Sequence, residues 1–266
     1  MSALSVPTRS AEPTAGDDWQ ARVARAFSRA APRYTERAHA QRAMAEVLCE
    51  RLPERARSLL DLGCGPGELT VQLAERFSQG CMPIGLDLAP GMLDQAARRH
   101  GSRACWVCAD AAALPLPARR LELVVSNLAI QWCPDLDAVM AELHRVLAPG
   151  GRALINTLAP ATLAEVGWAW SRPDGLLAFR DADRYREAAR AAGFSRVVVE
   201  PRAMRFTYPD LAAVMASIKG VGAQVARPAG RLTRRDWTRA AQRYERLRET
   251  EGLPVTYHLL TLELHA

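Results

Sequence analysis

At 266 residues, with 49% apolar side chains, the chain suits one large domain or a domain with an elaboration, and its apolar content excludes disorder as the general description. No apolar run reaches the roughly 18–20 residues of a membrane span, and the opening MSALSVPTRSAEPTAGDDW lacks an apolar signal-peptide core, so a cytoplasmic monomer with six reduced cysteines is expected. The net charge of +6 is concentrated in one place: Lys219 to Arg248 carry nine Lys/Arg against Asp236 and Glu245, which favours an anionic partner or marks a solvated helix face.

In chain order, residues 1–18 read as a polar tail and 19–51 as helical. RSLLDLGCG is a strand meeting a glycine turn, followed by helix ELTVQLAERF. MPIGLDLA is a second strand, followed by helix PGMLDQAARRH. RACWVCAD is a third strand and LELVVSNLA a fourth, followed by helix DLDAVMAELHRVL. RALINTL is a fifth strand. DRYREAARAAGF is a helix with Gly193 placed as its C′ residue. RVVVEPRAMRFTY is a strand with a proline irregularity, and VTYHLLTLELHA closes the chain. This alternation predicts an α/β fold with a largely parallel, Rossmann-like sheet. Residues 209–253 interrupt the last two strands as a helical cap. In it, TRRDWTRAAQRYERLRE starts near a capping box, with Trp237, Ala240, Ala241, Tyr244 and Leu247 on one face and Arg235, Arg239 and Arg243 on another. The expected organisation is a tail (1–18) and a single domain (19–266). The domain divides into N-terminal helices (19–56), a core (57–208 and 254–266) and the cap (209–253). Cys105 and Cys108 spell CxxC inside a strand, where residues three apart point to opposite faces; both are expected to be small buried hydrophobes.

DLGCGPG (61–67) follows an apolar strand and opens a helix, the context of a nucleotide-type loop. GxGxG alone is weak, because dinucleotide enzymes use similar loops. Three acids sharpen it. Asp61 precedes the first glycine, Asp87 ends the second strand, and Asp110 ends the third, followed by Ala111. Acids at three consecutive strand ends suit an ammonium, a ribose diol and an adenine amine, and suit a pyrophosphate poorly. Taken singly, Asp61 or Asp110 could merely cap a turn. With GLDLAPGML, CADAAALP and LVVSNLAIQW, the set resembles the ordered motifs of class I S-adenosylmethionine-dependent methyltransferases over about 57–158. The resemblance implies that Asp61, Gly63, Gly65 and Gly67 hold the methionine end of S-adenosylmethionine. It places Asp87, Leu88 and Met92 at the ribose and adenine side, Asp110 and Ala111 at the adenine, and Gln41 and Asn127 near the cofactor.

SNLAIQWC (126–133) lies just past the fourth strand. Gln131 and Trp132 could line an acceptor channel, or Trp132 could be helix packing. AFSRAAPRYTERAHAQR (26–42), SNLAIQWC, SIKGVGA (217–223), GRLTRR (230–235) and GLPVTYHLL (252–260) together resemble the malonyl-acyl-carrier-protein O-methyltransferases of biotin synthesis, over about 20–265. The resemblance implies methylation of the free carboxylate of a malonyl thioester, on acyl carrier protein or on coenzyme A. Tyr34 would close the N-terminal helices over the cofactor, and Tyr34, Gln131 and Trp132 would form the reaction site. Lys219 and Tyr257 would hold the acceptor, and Arg235, Arg239 and Arg243 would attract the acidic carrier. A carboxylate is ionised at neutral pH and needs no general base, which agrees with the lack of an acid/base constellation and of metal-spaced histidines. The stretch 159–208 matches no motif. The alternatives are a methyltransferase for another small molecule such as a quinone precursor, a nucleic-acid methyltransferase suggested by the basic charge, and a non-enzymatic cofactor-binding protein. The second is disfavoured, because SNLAIQWC is not the Asn/Asp-Pro-Pro-aromatic signature of base amino-methylation.

Overall fold

The computed structural model describes residues 15–77, 81–171, 177–220 and 233–266. Seven strands form one sheet: β1 (Leu59–Leu62), β2 (Ile84–Asp87), β3 (Cys105–Cys108), β4 (Leu121–Asn127), β5 (Leu147–Leu158), β6 (Arg196–Tyr208) and β7 (Leu253–His265). Their order is β3-β2-β1-β4-β5-β7-β6, with β1 to β5 parallel and β7 antiparallel to both β5 and β6. The order reverses between β1 and β4, so the crevice at their carboxyl ends is where an open α/β sheet binds ligands.

Alternation along the strands decides which helices cover each face. Leu60, Leu62, Val124 and Ile155 turn towards α6 (Leu136–Val146) and α8 (Ala182–Ala191). Their neighbours Leu59, Leu123, Val125 and Leu154 turn the other way, onto α3 (His39–Cys49) and α4 (Glu68–Arg76). With both faces covered, the central strands are largely apolar, as parallel sheets require, and their buried polar residues Asp61, Ser126 and Asn156 fall towards the carboxyl ends. The proline irregularity of β6 is Pro201. It falls on the outermost strand, where a missing N–H costs no ladder bond on the open side. Gly193, at φ +100°, ends α8 in a Schellman arrangement: its N–H bonds Arg190 O and the Phe194 N–H bonds Ala189 O.

Among the described residues, α1 (Ala15–Ala30) and the short α2 (Tyr34–Arg37) precede α3, and three more helices lie over the carboxyl edge. The cap comprises α9 (Leu211–Gly220) and α10 (Arg234–Glu245), and α7 (Ala164–Trp170) joins it. A second core binds these pieces: Met44 of α3, Val166 of α7, Val214 of α9 and Tyr244 of α10 pack with Val255 and Tyr257 of β7. The Tyr244 hydroxyl also donates to Pro254 O. The capping box at Thr233 and Asp236 is formed, and α10 turns Ala240 and Tyr244 inwards while Arg235, Arg239 and Arg243 face solvent.

The cysteine expectation is corrected. Cys105 and Cys108 are both exposed. β3 is an edge strand, so its side chains lack the cover that a central strand would give them. All six thiols are free.

Candidate active site

At the carboxyl ends of β1 to β4 lies a cleft with about 760 Å³ of empty space. Gly63, Gly65, Asp87, Leu88, Met92, Asp110, Ala111 and Asn127 all line it. Its glycine turn is held by backbone bonds: Gly63 N–H and Cys64 N–H both donate to Leu86 O at 2.7 and 3.0 Å. A Cβ on Gly63 would fall 2.2 Å from that of Ala129, so no larger residue fits between β1 and the loop after β4. Gly65, at φ +55°, faces open space, with nothing within 4 Å of where a Cβ would stand. Asp87 accepts from Gly65 N–H at 2.9 Å and Ala89 N–H at 2.8 Å, one on each oxygen. Burial still pushes its carboxyl above the ordinary range, against the pull of those donors.

Gly67 stands apart from the other glycines of the loop. It is absent from the cleft, adopts φ +88° as the N-cap of α4, and packs under Trp106, whose ring a Cβ would meet at 2.6 Å. Alanine substitutions therefore separate two roles. Gly67→Ala is expected to lower the thermal midpoint of the free protein by about 4–10 °C, for a steric and left-handed backbone cost of roughly 2–3 kcal/mol. Gly65→Ala is expected to weaken cofactor binding at least about tenfold with a smaller change in midpoint, because its methyl enters ligand space. Thermal melts and ligand titration of both variants read the difference.

Beside the cleft, a second chamber shares Tyr34, Gly63, Gly65 and Asn127 with it and adds Asp61 and Gln41. Asp61 is buried and accepts from the Thr70 hydroxyl at 2.6 Å. Burial raises its carboxyl from 3.8 to about 7, with Thr70 opposing and Asp87 adding to the rise. Gln41 Oε1 is buried with no hydrogen-bond partner among the described residues. Its backbone carbonyl takes the Asn127 Nδ2 donor at 3.0 Å, and Asn127 Oδ1 accepts from Asn156. A destabilised carboxylate and an orphaned acceptor in one chamber suit a cationic hydrogen-bond donor such as a ligand ammonium.

Helix α1 seals this cleft through contacts that no local motif marks. Gln20 Nε2 donates to Asp110 Oδ2 at 2.7 Å, and the Ala112 N–H donates to the other oxygen at 3.0 Å. Trp19 Nε1 donates to Trp132 O at 2.9 Å. Phe27 meets the Trp132 ring edge-on, with centroids 5.4 Å apart. Gln20, Val23 and Phe27 thereby roof the cleft from α1.

A narrower cavity with about 630 Å³ of empty space opens off the cleft, and Phe27, Tyr34, Leu128 and Trp132 line both. It also brings together Gln41, Gln131 and Tyr257 from three distant parts of the chain. Gln131 is held rather than free: its Nε2 donates to Leu128 O at 2.6 Å and its Oε1 accepts from Thr157, whose hydroxyl also meets the Tyr185 hydroxyl. Behind this loop Arg180 donates to Cys133 O and Pro134 O at 2.7 and 3.0 Å, from the stretch that matched no motif. Burial raises the phenols of Tyr34 and Tyr257 well above their usual range, with Asp87 and Glu68 adding to the first and the neighbouring phenols Tyr208 and Tyr244 adding to the second. Both are therefore proton-bearing donors at any ordinary pH. No Asp, Glu or His lines this cavity among the described residues.

Of the basic residues expected to hold the acceptor or attract its carrier, none is seen to line the cavity among the described side chains. Arg235 and Arg239 are exposed on α10 and do not line it, because the inward face of that helix is apolar. Lys219 falls in the last turn of α9, and its side chain lies outside the described residues; Ile218 next to it does line the cavity.

The fold and cleft agree with comparisons to known proteins. A methyltransferase domain family model matches residues 59–151. A biotin biosynthesis bifunctional protein BioHC of Cellvibrio japonicus (strain Ueda107) is 39% identical over 252 residues, covering 91% of this chain and 49% of the relative, so the chain spans about half its length. A malonyl-[acyl-carrier protein] O-methyltransferase of Gallionella capsiferriformans (strain ES-2) is 38% identical over 253 residues, covering 88% of this chain and 87% of the relative. Among solved structures, the YcgJ protein of Bacillus subtilis matches at a TM-score of 0.60 and 14% identity, over 84% of this chain and 97% of that one, a likeness of fold.

Proposed function

The chain belongs to the malonyl-[acyl-carrier protein] O-methyltransferase family, and from that premise we propose that it methylates the free carboxylate of a malonyl thioester carried by acyl carrier protein. The product is a malonyl methyl ester, the primer from which a pimeloyl chain for biotin is extended. S-adenosylmethionine, when bound, supplies a methyl group activated on a sulfonium sulfur. The observation that carries the reading is the cavity opening off the cleft, lined among the described residues by neutral donors and apolar walls and by no Asp, Glu or His.

Each wall has a task in this reading. Asp61 and the side-chain Oε1 of Gln41 would receive the cofactor's ammonium. Asp87 anchors the glycine turn and accepts from the ribose, while Asp110, locked by Gln20, faces the adenine. Tyr34 stands where cleft, chamber and cavity meet, and Tyr257 closes the far side of the cavity. As protonated phenols they donate to a carboxylate and cannot take a proton from it. Gln131, fixed by Leu128 O and Thr157, stiffens the lip that Trp132 presents. Alignment of a carboxylate oxygen with the methyl group then supplies the rate, a contribution worth roughly 7–11 kcal/mol in favourable cases. Burial between Trp132, Phe27 and Leu158 keeps water from the attacking oxygen.

The pH dependence follows. A malonyl carboxyl is ionised well below neutrality, and no Asp, Glu or His lines the cavity among the described residues. At saturating cofactor and acceptor, kcat is expected to vary less than about twofold between roughly pH 6.5 and pH 9. A rate that climbs tenfold per pH unit over part of that range would mean that a base removes a proton, and would move the acceptor to an alcohol, amine or carbon acid. Base-labile transfer of labelled methyl to malonyl thioester, with none to the acetyl thioester, checks the acceptor itself.

A further inference from the structure

On the solvent side of the acceptor cavity, between α7 and α10, runs an open groove with about 1670 Å³ of empty space. Leu177 and Phe179 form a wall common to groove and cavity. The floor carries Thr162 and Trp168. Trp168 is 48% exposed, and Met82 is the other large exposed hydrophobe among the described residues. Arg243 and Arg246 stand on the α10 side, and no carboxylate lines the groove among the described residues. Neither guanidinium has an acidic partner among the described residues, whereas nearby Arg248 is held by Glu245 and Arg205 by Glu249.

We propose that this groove is the entry path of the carrier's phosphopantetheine arm, with Arg243 and Arg246 taking the phosphodiester and the acidic carrier surface, and Trp168 packing against the arm. The inference rests on the thioester reading above and adds the route. A carrier-borne acceptor has an anionic phosphate at the protein surface, an amide-containing linker, and a thioester at its tip. The groove presents the complementary order: guanidinium groups with no acidic partner among the described residues, an exposed indole, then the Leu177–Phe179 wall beside Trp132 and Tyr257. An indole with a polar edge suits a linker that is half apolar and half amide. Two arginines side by side on the groove suit a phosphate, which each can grip with two parallel hydrogen bonds. The basic face continues along α10 through Arg239 and Arg235, both exposed, so these residues attract the carrier at longer range and do not touch the acceptor.

The test compares two acceptors, malonyl-loaded acyl carrier protein and malonyl-N-acetylcysteamine, which lacks the phosphate and most of the arm. For R243E/R246E, kcat/KM with the carrier is expected to fall at least about 30-fold while the short thioester changes less than about threefold, since charges at a docking rim act on association. Trp168→Ala is expected to lower the carrier's kcat/KM about tenfold with the same selectivity. R190E, a charge reversal at an exposed arginine on α8, is expected to alter neither. Equal losses on both acceptors, or no loss on either, would overturn the route. A wild-type enzyme that methylates the short thioester but shows no sensitivity of the carrier reaction to R243E/R246E rejects the groove alone. One that methylates neither malonyl species rejects the thioester reading and the route with it.

Discussion

Asp61→Asn is expected to weaken S-adenosylmethionine binding about 100-fold or more and, at the same time, to stabilise the free protein. Both effects come from one buried carboxyl. Its ordinary value of 3.8 is raised to about 7 in the fold, chiefly by burial. An acid whose folded-state value is raised loses stability as pH rises from its unfolded to its folded value. Below about pH 4 the group is protonated in both states and adds no pH dependence. Between about 4 and 7 the folded chain retains a proton that the unfolded chain releases, and stability declines. Above about pH 7 the full cost of a buried anion is present, roughly 4 kcal/mol. Asparagine, always neutral and nearly the same size, avoids that cost and keeps a partner for the Thr70 hydroxyl. The thermal midpoint of the variant is therefore expected to exceed that of the wild type by several degrees at about pH 8 and to match it near pH 4. The cofactor has the opposite requirement. Its ammonium stabilises the ionised carboxylate, so wild-type affinity is expected to strengthen from about pH 6 to pH 8, and the variant's weaker affinity is expected to stay flat. Calorimetric titration and melting across that range read both. A variant that binds as tightly as the wild type would remove Asp61 from the cofactor site.

Trp132→Ala is expected to lower methyl transfer to malonyl carrier by about 100-fold or more and to change cofactor affinity by less than about fivefold. The indole is shared by the cleft and the acceptor cavity, and it meets Phe27 edge-on. Removing it opens the wall that excludes water and aligns the acceptor, effects felt in the transfer step. The latch from α1 survives, because Trp19 bonds the backbone carbonyl of residue 132 and not its ring. Asp87, Asp110 and the glycine turn are untouched. Single-turnover rates beside a cofactor titration give the comparison. Equal loss of both, or of neither, would remove Trp132 from the acceptor lip.

The parts of the site that were legible in the sequence are local. DLGCGPG, Asp87 and Asp110 sit at strand ends, and the position of a strand end follows from a short apolar run and the turn after it. The glycine loop was read as one unit, yet Gly67 proves to be a helix cap under Trp106, because the partner that excludes a side chain there lies on another strand. The roof was illegible for the same reason. Gln20 reaches Asp110 and Trp19 reaches Trp132 across 90 and 113 residues, and nothing in the polar and aromatic residues of α1 distinguishes a latch from an ordinary amphipathic face. Arg180 is a similar case: an arginine before the Asp181 helix cap holds two carbonyls of the acceptor loop. The expected burial of Cys105 and Cys108 failed because a strand's apolar composition does not say whether it lies at the centre or the edge of its sheet. Helical spacing puts Arg235, Arg239 and Arg243 on the face of α10 opposite its apolar stripe, and that face is exposed, but which of them stand beside the acceptor cavity depends on how α7 packs against that helix.

The most direct test of the central claim is intact-mass analysis of malonyl-loaded acyl carrier protein after incubation with the protein and S-adenosylmethionine, with acetyl-loaded carrier in parallel. The account predicts the gain of one methyl group on the malonyl species alone, removed by mild ester hydrolysis. An unchanged malonyl carrier in the presence of intact cofactor binding, or an equal gain on the acetyl carrier, would contradict it.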